Sequence, residues 1–84
     1  MKKNKNWKVY IIQTHTGKLY TGITTDINRR FSEHKKNKGA KYFRLENPKE
    51  IIFTENYKNR SEATKRELEI KKLKRNEKLR LIKG

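Results

Sequence analysis

An α+β sandwich, in which helices flank a three-stranded antiparallel sheet, is the fold class that the sequence predicts. Two short runs of aromatic and β-branched residues, joined by a segment that contains a glycine, are typical of a β-hairpin. A third such run lies farther along the chain, and the segments on either side of it repeat apolar side chains with the spacing of a helix face. The elements therefore follow in the order β-β-α-β-α-α.

The hairpin is the best defined of these elements. Residues 7–13 and 18–24 form its strands, and His15-Thr16-Gly17 forms a three-residue loop in which Gly17 takes the left-handed position. Thr14 then pairs with Lys18, and this pair fixes the register of the two strands.

The register of the hairpin decides which side chains share a face of the sheet. Tyr10 falls opposite Gly22, and Ile12 falls opposite Tyr20. Two phenols therefore lie diagonally beside each other on one face, and Gly22 leaves open space opposite Tyr10. On spacing alone, ordinary aromatic packing is the favoured interpretation of this arrangement.

The first helix favours a functional site over ordinary aromatic packing. Thr25 or Asp26 caps its start, and the helix ends near residues 38–39. One of its faces carries both apolar and ionisable side chains, namely Ile27, Arg30, Phe31 and His34. A lone arginine or histidine on an inner face is usually a satisfied side chain. Two of them, one turn apart and beside a sheet that presents two phenols, indicate a functional site.

The second half of the chain contributes a strand and two helices. The strand covers residues 50–54, with Tyr57 as its farthest extension. A long helix begins at Ser61, and its apolar stripe consists of Ala63, Ile70 and Leu73. Asn76 caps a short last helix, whose apolar side chains are Leu79 and Ile82.

Glu67 is the anomaly of the long helix, because it lies on the stripe that is expected to be buried. A buried carboxylate is costly unless it is paired or bound to a cation. A salt bridge to Arg30 or to a nearby lysine such as Lys71 is the structural explanation, and a bound metal ion is the functional one.

Charge is the strongest compositional signal. The 84 residues include 24 Lys and Arg against 9 Asp and Glu, a net charge of +15, which predicts a polyanionic partner. The longest apolar run, Val9 to Ile12, is too short for a membrane span or a signal peptide, so nucleic acid is favoured over a membrane. The absence of cysteine fits a reducing compartment, and we expect a cytoplasmic protein. The length leaves room for one core, so residues 7–84 form a single domain after a basic, frayed segment of residues 1–6.

Four short segments follow one another in the order and at the spacing of motifs found in the GIY-YIG endonuclease superfamily. They are Lys8-Val9-Tyr10, Tyr20-Thr21-Gly22, Arg29-Arg30-Phe31 with Glu33-His34, and Arg66-Glu67 with Ile70-Lys71. The resemblance covers the chain from Trp7 to about Ile82 and is greatest to small stand-alone members of the superfamily. Lys8, Val9 and Thr21 replace the residues that give the motifs their names, at backbone or packing positions.

The resemblance implies hydrolysis of phosphodiester bonds in nucleic acid, with DNA as the expected substrate and little sequence specificity. It implies one divalent cation, Mg²⁺ or Mn²⁺, with Glu67 as its protein ligand, and no small-molecule cofactor. Arg30 would contact the scissile phosphate, and Gly22 would permit close approach of the substrate. The alternatives are a non-catalytic DNA- or RNA-binding module that retains the fold and a basic structural protein of a ribonucleoprotein particle.

The phenols complete the chemistry that the resemblance implies. Tyr10 is the expected general base and Tyr20 orients water or phosphate, although the two roles can be exchanged. Since a free phenol has a pKa near ~10, a cation-rich pocket must lower it. His34 would orient a phenol or relay its proton. We therefore expect all of these side chains, with Glu67, to converge on one concave patch.

Two basic clusters are expected to bind the nucleic-acid backbone without reading its sequence. The first flanks the connector after the first helix and consists of Lys35, Lys36, Lys38, Lys41 and Arg44. The second follows the long helix and includes Lys71, Lys72, Lys74 and Arg75. Tyr42 and Phe43, in the connector, either stack on bases or pack on the sheet.

Overall fold

The computed structural model describes residues 6–36 and 47–84. Its strands are β1 (Trp7–Thr14), β2 (Leu19–Thr24) and β3 (Pro48–Tyr57), and its helices are α1 (Ile27–Lys35), α2 (Arg60–Lys71) and α3 (Arg75–Lys83). The predicted α+β class and the order β-β-α-β-α-α are confirmed. The predicted frayed segment, apart from Asn6, lies outside the described residues, as do Lys38, Lys41, Tyr42, Phe43 and Arg44. None of the helices in the described part of the chain is both long and apolar enough to cross a membrane.

The three strands form one antiparallel sheet in the order β2-β1-β3, so that β1 is central and β2 is an edge strand. Gly17 adopts a left-handed backbone, with φ of 91°, in the predicted three-residue loop. Tyr10 pairs with Gly22 and Ile12 pairs with Tyr20, as the loop length predicts. The hairpin register therefore follows from the sequence, because a three-residue loop leaves the strands one way to pair.

Helices cover both faces of the sheet. Val9 and Ile11 of β1 point to one face, where α2 and α3 bury Ala63, Ile70, Leu81 and Ile82 against them. Tyr10 and Ile12 point to the other face, where α1 contributes Ile27 and Phe31. The period-two alternation along β1 thus separates two clusters, and α1 and α2 lie on opposite sides of the sheet.

Helices α1 and α2 each begin at an N-cap residue whose side chain accepts a hydrogen bond from the first turn. Asp26 caps α1 by accepting a hydrogen bond from the backbone N–H of Arg29 at 3.1 Å. Asn59, and not Ser61, caps α2 and accepts from the backbone N–H of Glu62 at 2.9 Å. Asparagine is as good a cap as serine, and its extended backbone places the amide oxygen over the first turn.

Helix α3 begins earlier than the sequence predicts. Its N-cap is Lys74, whose backbone N–H donates to the carboxylate of Glu77 at 2.8 Å. The prediction that Asn76 caps this helix is therefore wrong, because the Glu77 carboxylate already takes up the exposed N–H at the start. Leu79 is 36% exposed, whereas Leu81 packs against the core.

Candidate active site

The ring of Tyr10 lies across strand β2 at Gly22. A Cβ atom added to Gly22 would come within 2.5 Å of the Tyr10 hydroxyl oxygen and 2.7 Å of its Cζ. Real Cβ atoms do not approach other atoms so closely, so any other residue at this position would displace the ring. The sequence predicts open space opposite Tyr10, and the Tyr10 side chain itself fills it.

Three of the predicted site residues form one aromatic cluster on the α1 face of the sheet. The Tyr10 hydroxyl and His34 Nε2 are 3.0 Å apart, and both side chains are buried. Tyr20 is half-buried and stands edge-on to His34, with ring centroids 5.4 Å apart. The two phenol rings are 6.3 Å apart. Helix α1 thus brings His34 into contact with both phenols.

Burial sets the protonation of this cluster. Burial raises the pKa of Tyr10 to about 12, and the neighbouring Tyr20 acts in the same direction. Arg30 lowers this pKa through its hydrogen bond and its charge, but the effect of burial is larger. Burial also lowers the pKa of His34 to about 4, and the charge of Arg30 acts in the same direction. At neutral pH the phenol of Tyr10 and the imidazole of His34 are therefore both neutral. The cation Arg30 lowers the pKa of the Tyr10 phenol in the expected direction, but desolvation is the larger effect and raises it.

Arg30 lies at the edge of the cluster and remains charged. Its Nη1 donates to Oε1 of Glu33 at 3.0 Å, one turn along α1. Although partial burial opposes it, the hydrogen bond to Glu33 raises the pKa of Arg30. The side chain is 32% exposed, so its guanidinium can meet an anion from solvent while Glu33 holds it in position.

Glu67 reaches the cluster from the other side of the sheet. Helix α2 packs on the face of Val9 and Ile11, whereas Tyr10 points to the other face, so the two phenols and Glu67 do not start from a shared face of the sheet. Its carboxylate is nevertheless near enough to the Tyr10 hydroxyl to raise the pKa of that phenol. The approach is possible because Tyr10 extends over the edge strand β2, against which α2 also packs. The candidate site therefore lies at the edge strand β2, where the ring of Tyr10 and helix α2 both pack.

The burial of Glu67 is satisfied by one of the two predicted salt bridges. Its side chain is 17% exposed, and Oε2 lies 3.1 Å from Nζ of Lys71, one turn along α2. The alternative partner, Arg30, pairs with Glu33 instead. The structural explanation for a carboxylate on this stripe is thus present, and it coexists with the electrostatic effect of Glu67 on Tyr10.

A metal ion at this site would have Glu67 as a single carboxylate ligand. In residues 6–36 and 47–84, no three or more His, Cys, Asp or Glu side chains group closely enough to hold an ion. This donor set fits Mg²⁺, which keeps most of its water and binds proteins through one or two carboxylates. An oxygen of Glu67 already meets the ammonium group of Lys71, which is 50% exposed. The Glu67 carboxylate is therefore accessible to a cationic group, here the ammonium group of Lys71.

The predicted backbone-binding residues that the structure describes are exposed. They are Lys35 and Lys36 at the end of α1, and Lys71, Lys72, Lys74 and Arg75 around the junction of α2 and α3. Arg75 also lines a shallow pocket of about 200 Å³ with Lys18, Leu19 and Lys78. Lys18 directly precedes β2 in the hairpin, so sequence spacing alone did not place it with this cluster.

Comparisons with known proteins agree with this geometry. The family model of the GIY-YIG catalytic domain matches residues 6–80. A UPF0213 protein of Staphylococcus aureus (strain Mu3) is 47% identical over 75 residues, which are 89% of this chain and 92% of the relative. The solution NMR structure of a UPF0213 protein from Bacillus halodurans is 40% identical with a TM-score of 0.60 and covers 93% of this chain and 83% of its own. That of a protein from E. faecalis is 38% identical with a TM-score of 0.62, covering 96% and 88%. The chain therefore belongs to the GIY-YIG catalytic domain family, with the small stand-alone UPF0213 proteins as its relatives.

Proposed function

We propose that this protein is a divalent-metal-dependent endonuclease that hydrolyses phosphodiester bonds of nucleic acid, DNA above all, with little sequence specificity. The observation that supports it most is the buried Tyr10–His34 pair, on whose hydroxyl both Arg30 and Glu67 act. A surface that only binds nucleic acid does not need a carboxylate there, because a carboxylate repels phosphate. Family membership and the net charge of +15 support a polyanionic substrate.

Arg30 is assigned to the scissile phosphate. It is charged, partly exposed and fixed by Glu33, as a preorganised donor should be. Such a donor stabilises the negative charge that grows on the phosphate oxygens in the transition state. Because Glu33 already orients the guanidinium, little reorganisation is needed when substrate binds.

The phenols are assigned different roles. Tyr10 keeps its proton at neutral pH, since its pKa is about 12, and we assign it to positioning His34 and Arg30. Tyr20 is half-buried and in ring contact with His34, so it can reach both solvent and substrate. We therefore assign to Tyr20 the removal of the proton from the attacking water, which exchanges the roles that the resemblance first implies for the two tyrosines.

Glu67 is assigned to the cation. When bound, the cation would neutralise charge on the scissile phosphate, with water molecules completing its coordination. Lys71 pairs with the same carboxylate and keeps it in place on the side of α2 that meets β2. Because GIY-YIG membership suggests a divalent metal without naming it, Mg²⁺ and Mn²⁺ are both candidates.

The second candidate function is binding of DNA or RNA without cleavage. One observation favours it: the Glu67–Lys71 ion pair at 3.1 Å explains the burial of the carboxylate without a metal ion. The two functions differ in what Glu67 does, so its removal separates them.

The decisive experiment is incubation of the wild type with single-stranded, duplex and branched DNA and with RNA, with and without Mg²⁺ or Mn²⁺. Glu67→Ala is the test variant, and Glu69→Ala is its matched control, because Glu69 is a 66% exposed carboxylate on the same helix. We expect metal-dependent cleavage by the wild type and by Glu69→Ala, and none by Glu67→Ala. Equal trace cleavage by wild type and Glu67→Ala would indicate a contaminating nuclease and favour the binding module.

A further inference from the structure

A second cationic pocket adjoins the candidate active site. It has a volume of about 280 Å³, and its charged lining consists of Arg29, Arg30 and Arg60, with the indole of Trp7 beside them. Its walls come from the start of β1, the end of β2 and the first turns of α1 and α2. No carboxylate of the described residues lines it. The lining of the pocket therefore has the charge of an anion site.

Arg60 differs from the other two arginines of this pocket, because none of the described carboxylates pairs with it. Arg29 and Arg30 each bond to Glu33 at 3.0 Å, and Arg29 also pairs with Asp26 at 3.8 Å. Arg60 forms no ion pair with a carboxylate in the described part of the chain, and its Cζ lies over the ring of Trp7, 5.7 Å from the centroid. A guanidinium that lies over an aromatic ring keeps its in-plane N–H groups for an anion, and phosphate fits that fork.

Arg30 connects this pocket to the chemistry. The same side chain lines the pocket and acts on the hydroxyl of Tyr10 in the candidate active site. Along β2, Gly22 underlies Tyr10, and Thr24, two residues farther, lines the pocket. Two residues of a strand span about 7 Å, a distance on the scale of one nucleotide.

We infer that this pocket binds the phosphate next to the scissile one, so that the substrate strand runs along the edge strand β2 with Arg30 between two neighbouring phosphates. The inference rests on the proposed function for its substrate. Arg60 is a phosphate-binding residue, and Trp7 positions it. The preferred substrate is therefore a strand with an intact phosphodiester beside the one that is cleaved, rather than an isolated phosphate diester.

Trp7 makes the pocket directly observable, since it is the one tryptophan of the chain. Titration of the metal-free wild type and of Glu67→Ala with a single-stranded oligothymidylate of eight nucleotides should change the Trp7 fluorescence and saturate. Affinity is measured separately by anisotropy of the labelled oligonucleotide across a range of salt concentrations. Arg60→Ala should weaken binding and reduce the slope of log affinity against log salt by about 0.7, the value for one phosphate contact on a single strand.

Two variants separate a site from general electrostatics. Arg80→Ala removes the same charge from an exposed position on α3 and should keep the fluorescence response. Arg60→Lys keeps the charge but loses the planar fork, and it should bind more weakly than wild type. An oligonucleotide with one neutral methylphosphonate beside the cleaved bond should lose affinity for the wild type and not for Arg60→Ala, because the two changes remove the same contact.

The outcomes distinguish the two proposals. Saturating Trp7 fluorescence with loss in Arg60→Ala, but no cleavage of any nucleic acid, would support the pocket and overturn the nuclease. Metal-dependent cleavage with Arg60→Ala and Arg60→Lys both equal to Arg80→Ala, and with Trp7 silent, would overturn the pocket and leave the nuclease standing. Circular dichroism and thermal melts show whether each variant is folded.

Discussion

The hydroxyl of Tyr10 lies 3.0 Å from Nε2 of His34, and both side chains are buried between α1 and the sheet. Arg30 can only donate to the phenolic oxygen, and the tautomer of His34 decides whether Nε2 accepts the phenolic proton or donates to the same oxygen. Burial favours the neutral forms of both the phenol and the imidazole. The pair therefore couples the stability of the site to pH, and it ties the roles of the two tyrosines together.

Protonation of His34 should destabilise the protein in acid. The folded-state pKa of about 4 lies below the ordinary value of 6.5, so between these pH values the unfolded chain binds a proton that the folded chain does not. The stabilisation by neutral His34 is complete above pH ~6.5 and is lost as the pH falls toward 4, by up to about 3 kcal/mol. Urea unfolding from pH 7 to pH 4 measures it, and His34→Gln should flatten this part of the profile. His15→Gln, in the exposed hairpin loop, is the control, and an equal effect of both variants would contradict the prediction.

Tyr20→Phe should slow cleavage more than Tyr10→Phe does. If Tyr20 takes the proton of the attacking water, its loss removes general-base catalysis, which contributes typically 10²–10⁴-fold. Tyr10→Phe keeps the ring over Gly22 but removes one buried hydrogen bond to His34, so its cost in stability should be about 1 kcal/mol. Single-turnover cleavage with saturating enzyme compares the two rates. The opposite order of rates would return the base role to Tyr10.

Arg30→Ala should lower the cleavage rate far more than the affinity. Loss of one preorganised donor to the transition state typically costs about 10²–10³ in rate, whereas many other cations share the binding of the backbone. Lys35→Ala, which removes an exposed charge from the same helix, is the matched control. Rates at saturating enzyme and dissociation constants are measured for both variants. Equal losses of rate and affinity in Arg30→Ala would show that Arg30 only binds.

Gly22→Ala should destabilise the fold through Tyr10. The added methyl group would meet the Tyr10 hydroxyl at 2.5 Å and its ring at 2.7 Å, and overpacking of this kind costs typically about 1–3 kcal/mol. The cost should shrink in a Tyr10→Leu background, because the shorter side chain leaves the space over β2. A double-mutant cycle by urea unfolding measures the coupling. Additive effects of the two substitutions would show that the ring does not limit position 22.

The sequence by itself determined the order of the elements, the hairpin and the residues that form the aromatic cluster. The three-residue loop His15-Thr16-Gly17 fixes the register of the two strands that it joins. The pairing of Tyr10 with Gly22 follows from that register by counting residues. The spacing of Arg30 and His34 on one face of α1 follows from helix periodicity in the same way. These are local relationships, and local geometry is set by residues a few positions apart.

Only the tertiary structure decided the protonation of the site and the face from which Glu67 enters it. The pKa of Tyr10 depends on how completely α1 and the sheet exclude water, and no spacing along the chain expresses that. Helix α2 packs on the opposite face, so the effect of Glu67 on Tyr10 depends on the packing of α2 against β2 and not on a shared face. The pocket of Trp7 and Arg60 likewise joins residues that are 53 positions apart. Such pairs come together when the core forms, and core formation depends on many residues at once rather than on a local sequence pattern.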